Sequence, residues 1–244
     1  MTQLMTMAAV INAERIKLST VRSPLWSTVA AAVLSFGIAA LQAATAYDYE
    51  QLTAPTAALG VAVFGVPVLM IVAAMTVTGE YRTGMVRTTF MASPSRTLVL
   101  AAKAVVAAVF SGVVAAIMVI GSVLVARVGL GDAWRTTAAI ALYATLAAVL
   151  GVGVAALLRH TAGAVAVLLL WPLLIEPLLS NLPGRGPQIG PYLPFANMFR
   201  FLDVQWLFPT YPPPWRPLGS LGYFTVIVLG VFVTAVVVVN RRDA

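Results

Sequence analysis

Along the chain, apolar runs of membrane-crossing length alternate with short polar breaks. From Ser23 to Tyr47 there are 25 residues without a charge, enough for a helix to cross about 30 Å of hydrocarbon at ~1.5 Å per residue. Further uncharged stretches recur, among them 23 residues between Lys103 and Arg127. The pattern predicts spans over residues 24–46, 54–78, 98–126, 136–158, 161–181 and 217–240. The expected fold is all-α: a single polytopic transmembrane domain over 1–244 with six membrane helices.

The segments between spans differ in character. In residues 1–22, Leu4, Met7, Ile11 and Leu18 share one helical face, since each residue advances about 100°. Arg15 falls on the same arc and must snorkel. This reads as an interfacial helix that Arg15, Lys17 and Arg22 hold at an anionic leaflet, with a loosely ordered tail as the alternative. The first span is too long for a cleaved leader, whose apolar core runs to about 7–15 residues. Pro67 predicts a kink in the second span, because it removes a backbone donor. Ala147, Gly151 and Ala155 place a small residue at every fourth position of the fourth span, allowing a neighbouring helix to approach without saying which one.

Residues 182–216 break the membrane pattern. Nine of the chain's fifteen prolines lie in 183–217, and eight aromatics lie in 182–216. Phe195, Met198, Phe199, Leu202 and Trp206 follow helical spacing behind Pro194, which suits a first turn. A short amphipathic helix on or dipping into the outer leaflet is expected, with a gate formed by Phe195, Phe199, Leu202 and Trp206.

Composition agrees with a membrane protein. Only 9% of residues are charged against 61% hydrophobic, and a soluble domain normally carries about 25% charged residues. With both termini in the cytoplasm, the inner side holds ten basic and three acidic residues, and the outer side five of each. The positive-inside rule favours that orientation in the cell membrane. It accounts for the net charge of +7 without nucleic acid as a partner. Residues 79–97 then form a cytoplasmic loop, entered through Gly79-Glu80 and left through a Ser93-Pro94 corner that can cap the third span's helix.

Candidate chemistry is sparse. There is no cysteine and a single histidine, His160, so no metal site or catalytic relay is expected. A P-loop requires lysine followed by a hydroxyl residue, and neither Lys17 nor Lys103 has one. Glu176 is the one acid inside an apolar span, roughly 22–24 Å from the inner end. A carboxylate buried there is expected to be functional, with Glu176 as an intramembrane polar group on the substrate path. The structural alternative is a link to Arg185 or Arg200, or to backbone freed by Pro172 and Pro177. Periodicity over 81–91 is poor, because Tyr81 and Met85 share one face while Val86 and Phe90 lie on another.

Residues 80–96, Glu-Tyr-Arg-Thr-Gly-Met-Val-Arg-Thr-Thr-Phe-Met-Ala-Ser-Pro-Ser-Arg, resemble the loop after the second span of bacterial ABC-2 type transporter permeases. That loop has the form E-[YF]-R-x-G-[TM]-[LIV]-R-x-T, then a Pro-Ser-Arg corner and a lysine-bearing third helix. Ala13–Trp26, with Glu14, Lys17, Arg22 and Trp26, is similar to the family's leading interfacial helix. The resemblance implies a permease subunit of an exporter. Glu80, Tyr81, Arg82, Gly84, Arg87 and Thr88 would form a coupling helix docked on a separate ABC ATPase. Two ATPase copies, which would bind ATP and magnesium, and a second identical or related permease chain would complete the unit. This chain itself would hold no cofactor, and residues 182–216 would be an outer re-entrant gate. The rival readings are a non-transporting membrane scaffold and an ion-coupled carrier using Glu176.

Overall fold

The computed structural model describes residues 2–46, 52–92, 95–131, 133–204, 208–209, 211 and 214–241. The side chains of residues 2–6, 87, 90 and 92 are outside that description. The described chain is all-helical, and six of its helices are long and apolar enough to cross a membrane, as in a multi-pass membrane protein.

A leading helix α1 (Thr2–Thr20) is followed by α2 (Arg22–Thr45) and a single turn, α3 (Ala54–Ala57). The second long helix enters through a π turn, Val61–Gly65, and continues as α4 (Val66–Thr83). A short helix α5 (Val86–Ala92) leads to α6 (Arg96–Val125), α7 (Ala133–Leu158) and α8 (Thr161–Leu170). A second π turn, Trp171–Ile175, connects α8 to α9 (Glu176–Ser180). Then come α10 (Gly186–Ile189), a 3₁₀ turn (Gly190–Tyr192), α11 (Pro194–Phe201) and α12 (Pro217–Arg241).

The two π turns have one sequence cause. Pro67 and Pro177 each sit two residues beyond the end of a π turn. A helix-interior proline cannot donate to the carbonyl four residues back, and its ring collides with that carbonyl. Widening the preceding turn by one residue relieves the clash. Val66 donates to Val61 O in the first case and Glu176 to Trp171 O in the second. The kink expected at Pro67 is thus a change of helical pitch just before it.

Helices α4 and α7 form the centre, and α2, α8–α9 and α12 lie outside them. Gly151 identifies the neighbour of the small-residue stripe on α7. A Cβ at that position would run into the backbone carbonyl of Met70 on α4. Ala147 and Ala155 on the same stripe are fully buried. Outward-facing Val109, Val113 and Ile117 on α6, and Val226, Leu229 and Val233 on α12, remain exposed, as lipid-facing residues would.

The sequence reading of the leading helix needs correction. Its buried side is centred on Glu14, with Val10 and Lys17 beside it, and packs on α6; Arg15 points away. The apolar arc through Met7, Ile11 and Leu18 is one flank of that packed side, and the side chain of Leu4 lies outside the described residues. The third span also starts earlier than expected. Ser95 caps α6 by accepting the Leu98 N–H, whereas Ser93 and Pro94 lie outside the described residues.

Candidate functional site

Two polar constructions stand out in this apolar bundle, one at each end. The first gathers four charges from three helices. Lys103 Nζ on α6 lies 2.7 Å from Glu14 Oε2 on α1 and 2.8 Å from Glu80 Oε1 on α4. It also donates to the Thr76 carbonyl at 3.2 Å, so all three ammonium hydrogens have acceptors. Lys17 on α1 reaches Glu14 Oε1 and Glu80 Oε1, both at 2.8 Å. Lys103, Glu14 and Glu80 are 4%, 6% and 11% exposed, against 39% for Lys17. Burial lowers the Lys17 pKa, but its hydrogen bonds to Glu14 and Glu80 outweigh that effect and raise it above the usual lysine value. Two cations and two anions balance, which makes burial tolerable. Removing one partner from such a group costs about 3–5 kcal/mol because the others are left buried without a counter-charge.

Around this cluster the α4–α5–α6 hairpin is fastened at further points. The Tyr81 ring lies under the Arg159 guanidinium, 5.2 Å from the centroid, joining the end of α4 to the α7–α8 turn. Arg96 at the start of α6 donates to the Val239 carbonyl at 3.0 Å. Asn240 donates to Thr97 Oγ1 at 2.9 Å, so α12 ends against the same corner. His160 is the N-cap of α8, its Nδ1 accepting the Gly163 N–H.

The turn before α5 depends on Gly84. Its φ of +71° is the left-handed conformation that closes a helix C-terminus and that glycine adopts without a Cβ penalty. Beyond it, Met85, Thr88 and Met91 are exposed, Met91 at 78%, as are Arg82 and Thr83. The six residues suggested for partner coupling therefore separate. Glu80 and Tyr81 face inward onto Lys17, Lys103 and Arg159. Gly84 makes the turn, and Arg82 and Thr88 are exposed. Arg87 lies on α5 with its side chain outside the described residues. Of the three basic residues proposed for the interfacial helix, Arg15 and Arg22 are exposed, while Lys17 belongs to the cluster.

The second construction is built on Glu176, which has no exposed surface. Trp171 opens the π turn that precedes it, and the indole N–H donates to Glu176 Oε1 at 2.8 Å. Glu176 Oε2 accepts the backbone N–H groups of Phe195 at 2.8 Å and Ala196 at 3.0 Å. Those are first-turn donors of α11, which have no partner within their own helix. The carboxylate therefore caps α11 from another segment, with the helix dipole adding to the attraction. Among the described residues no ion pair joins it to Arg185 or Arg200; of the two structural alternatives the link is to backbone, at the start of α11 rather than at groups freed by Pro172 and Pro177.

The apolar side of α11 also faces differently from the expectation. Phe195, Met198, Phe199 and Leu202 are buried in the bundle rather than laid on lipid. Phe195 and Phe199 meet the edge of Tyr143 on α7, with centroids 6.5 and 6.2 Å away, and Phe224 on α12 joins the same group. Asn197 donates to Pro191 O and Leu193 O and accepts from Trp215 Nε1, which fixes the segment on both sides. Trp206, the fourth suggested gate residue, lies outside the described residues.

Sequence reasoning singled out Glu80, Lys17 and Glu176 but missed Glu14 and Lys103 as partners of one cluster. The available signal was an acid on the apolar side of α1 and a lone lysine inside the third apolar run. Among the described residues no group of acids or histidine is arranged to hold a metal. No protein-family model matches the chain, and no curated protein matches it.

Proposed function

We propose that this chain is the transmembrane subunit of an ATP-driven exporter of the ABC-2 permease type, driven by a separate ATPase that docks on α5. The observation that carries the reading is the form of the α4–α5–α6 hairpin. A helix of seven residues exposes Thr88 and Met91, while both of its flanks are fastened by buried or partly buried polar bonds. A loop that served only to connect two spans would not need such fastening. The likeness of residues 80–96 to the docking loop of that family supports the same element.

In this reading the basic end, which carries α1, α5 and the end of α12, faces the cytoplasm of a cell membrane. Two ATPase copies bind ATP and magnesium, and a second permease chain, identical or related, completes the unit in contact with membrane lipid. The chain supplies no catalytic group and binds no nucleic acid. Its substrate is hydrophobic or amphipathic, because the spans offer few charges, and the α10–α11 segment is the gate at the far end. The three donors on Glu176 support a capping role rather than an ion-carrying one.

The test is whether the chain, purified from its own membrane, brings a P-loop ATPase with it. Met91→Asp on the exposed side of α5 is expected to lose the ATPase while the chain keeps its thermal stability. Retention of the ATPase by that variant rejects docking on α5.

A further inference from the structure

The geometry points to Lys103 as a positioning residue that makes α1 and the α5 hairpin move as one body. The inference rests on the docking reading for its purpose but not for its geometry. Lys103 is buried on α6, and its ammonium bonds Glu80 on α4 and Glu14 on α1 together. Glu80 and Lys103 stand on the two limbs of the hairpin that carries α5, so their bond closes its base. Glu14 hangs α1 on that closed base, and Lys17 doubles the link by bonding Glu14 and Glu80 at once.

The polar fastening sits among buried Val77, Val86, Val99 and Leu100. A partly enclosed void of about 20 Å³ lies beside the cluster, lined by Glu80, Tyr81, Arg96, Lys103 and Val239 among others. Anything that tilts α5 therefore pulls α1 through two links, Glu80–Lys103–Glu14 and the direct Glu80–Lys17 bond. The α12 bonds at Arg96 and Thr97 make a separate fastening on the other flank.

The absence of native cysteine allows spin labels to be placed without background. The full-length chain in lipid nanodiscs, labelled at Ala9→Cys on α1 and Thr88→Cys on α5, is measured by double electron–electron resonance. A second pair, Leu41→Cys and Leu130→Cys, reports on the opposite end of the bundle. A narrow α1–α5 distance is expected in the otherwise unchanged chain. Lys17→Met alone, which keeps the Lys103 link, should leave it narrow, and Lys17→Met with Lys103→Met should broaden and shift it while the second pair stays unchanged. Glu14→Ala with Lys17→Met, which leaves the Glu80–Lys103 bond in place, should free α1 in the same way and serves if the Lys103 variant does not fold. An α1–α5 distance indifferent to these substitutions, or equal broadening of both pairs, overturns the inference. No ATPase enters this measurement, so it can fail while docking on α5 stands, and docking can fail while it stands.

Discussion

Glu176 accepts the backbone N–H of Phe195 at 2.8 Å, so a carboxylate at the start of α9 closes the open end of α11. One acid in an apolar span thereby fixes the segment that packs against Tyr143 and Phe224. Its three donors explain how it is buried without a basic partner.

Replacing Glu176 by alanine removes the acceptor for the Trp171 indole and for two backbone N–H groups. Each buried donor left unsatisfied costs about 1–3 kcal/mol. Glu176→Ala should lower the unfolding temperature in detergent markedly, and Glu176→Gln should lower it less because its amide oxygen still accepts. Equal stability of all three proteins would remove the cap from the account.

At Gly151 a methyl group would meet the Met70 carbonyl, a backbone atom that moves only if α4 moves. Overpacking of this kind costs about 1–3 kcal/mol. Gly151→Ala should therefore destabilise. Gly222→Ala, where nothing lies within 4 Å, should be neutral or gain about 0.5–1 kcal/mol from helix propensity. Thermal unfolding of the two variants side by side checks the contrast.

Gly84→Val forces a β-branched residue into left-handed backbone and should cost about 1–2 kcal/mol, with Gly84→Asn milder because asparagine tolerates that region. Limited proteolysis at the α4–α5 turn, faster in the valine variant than in the asparagine one, is the expected result.

The buried cluster makes a prediction about compensation. Lys103→Met alone leaves Glu14 and Glu80 sharing the single ammonium of Lys17 and should cost about 3–5 kcal/mol. Adding Glu14→Gln leaves one anion, Glu80, for the one remaining cation, Lys17, and should recover much of that loss. A double variant no more stable than Lys103→Met, compared by denaturant unfolding, would contradict the charge balance inferred for the site.

These residues also show what the sequence could and could not disclose. The long helices were legible because uncharged runs of membrane length leave few alternatives. Glu176 was legible as an oddity, but its partners were not: Phe195 and Ala196 act through backbone N–H, which no side-chain identity reveals. The spacing of Phe195, Phe199 and Leu202 correctly marked a helical side, yet spacing cannot say whether that side meets lipid or protein. Lys103 and Glu14 are 89 residues apart, and nothing local to either names the other. Pro67 signalled a disturbance in α4 without specifying that a π turn would absorb it. The α5 helix, with no clean periodicity, stood out only through the family resemblance of its sequence.

Docking on α5 is decided by a cryo-electron microscopy structure of the chain purified from its own membrane together with whatever ATPase it retains. Expected is α5 seated in a cleft of the ATPase, with Thr88 and Met91 in contact, Glu80 still bonded to Lys103, and two copies of each subunit. An ATPase bound to another surface, or a chain that purifies without one, would contradict it.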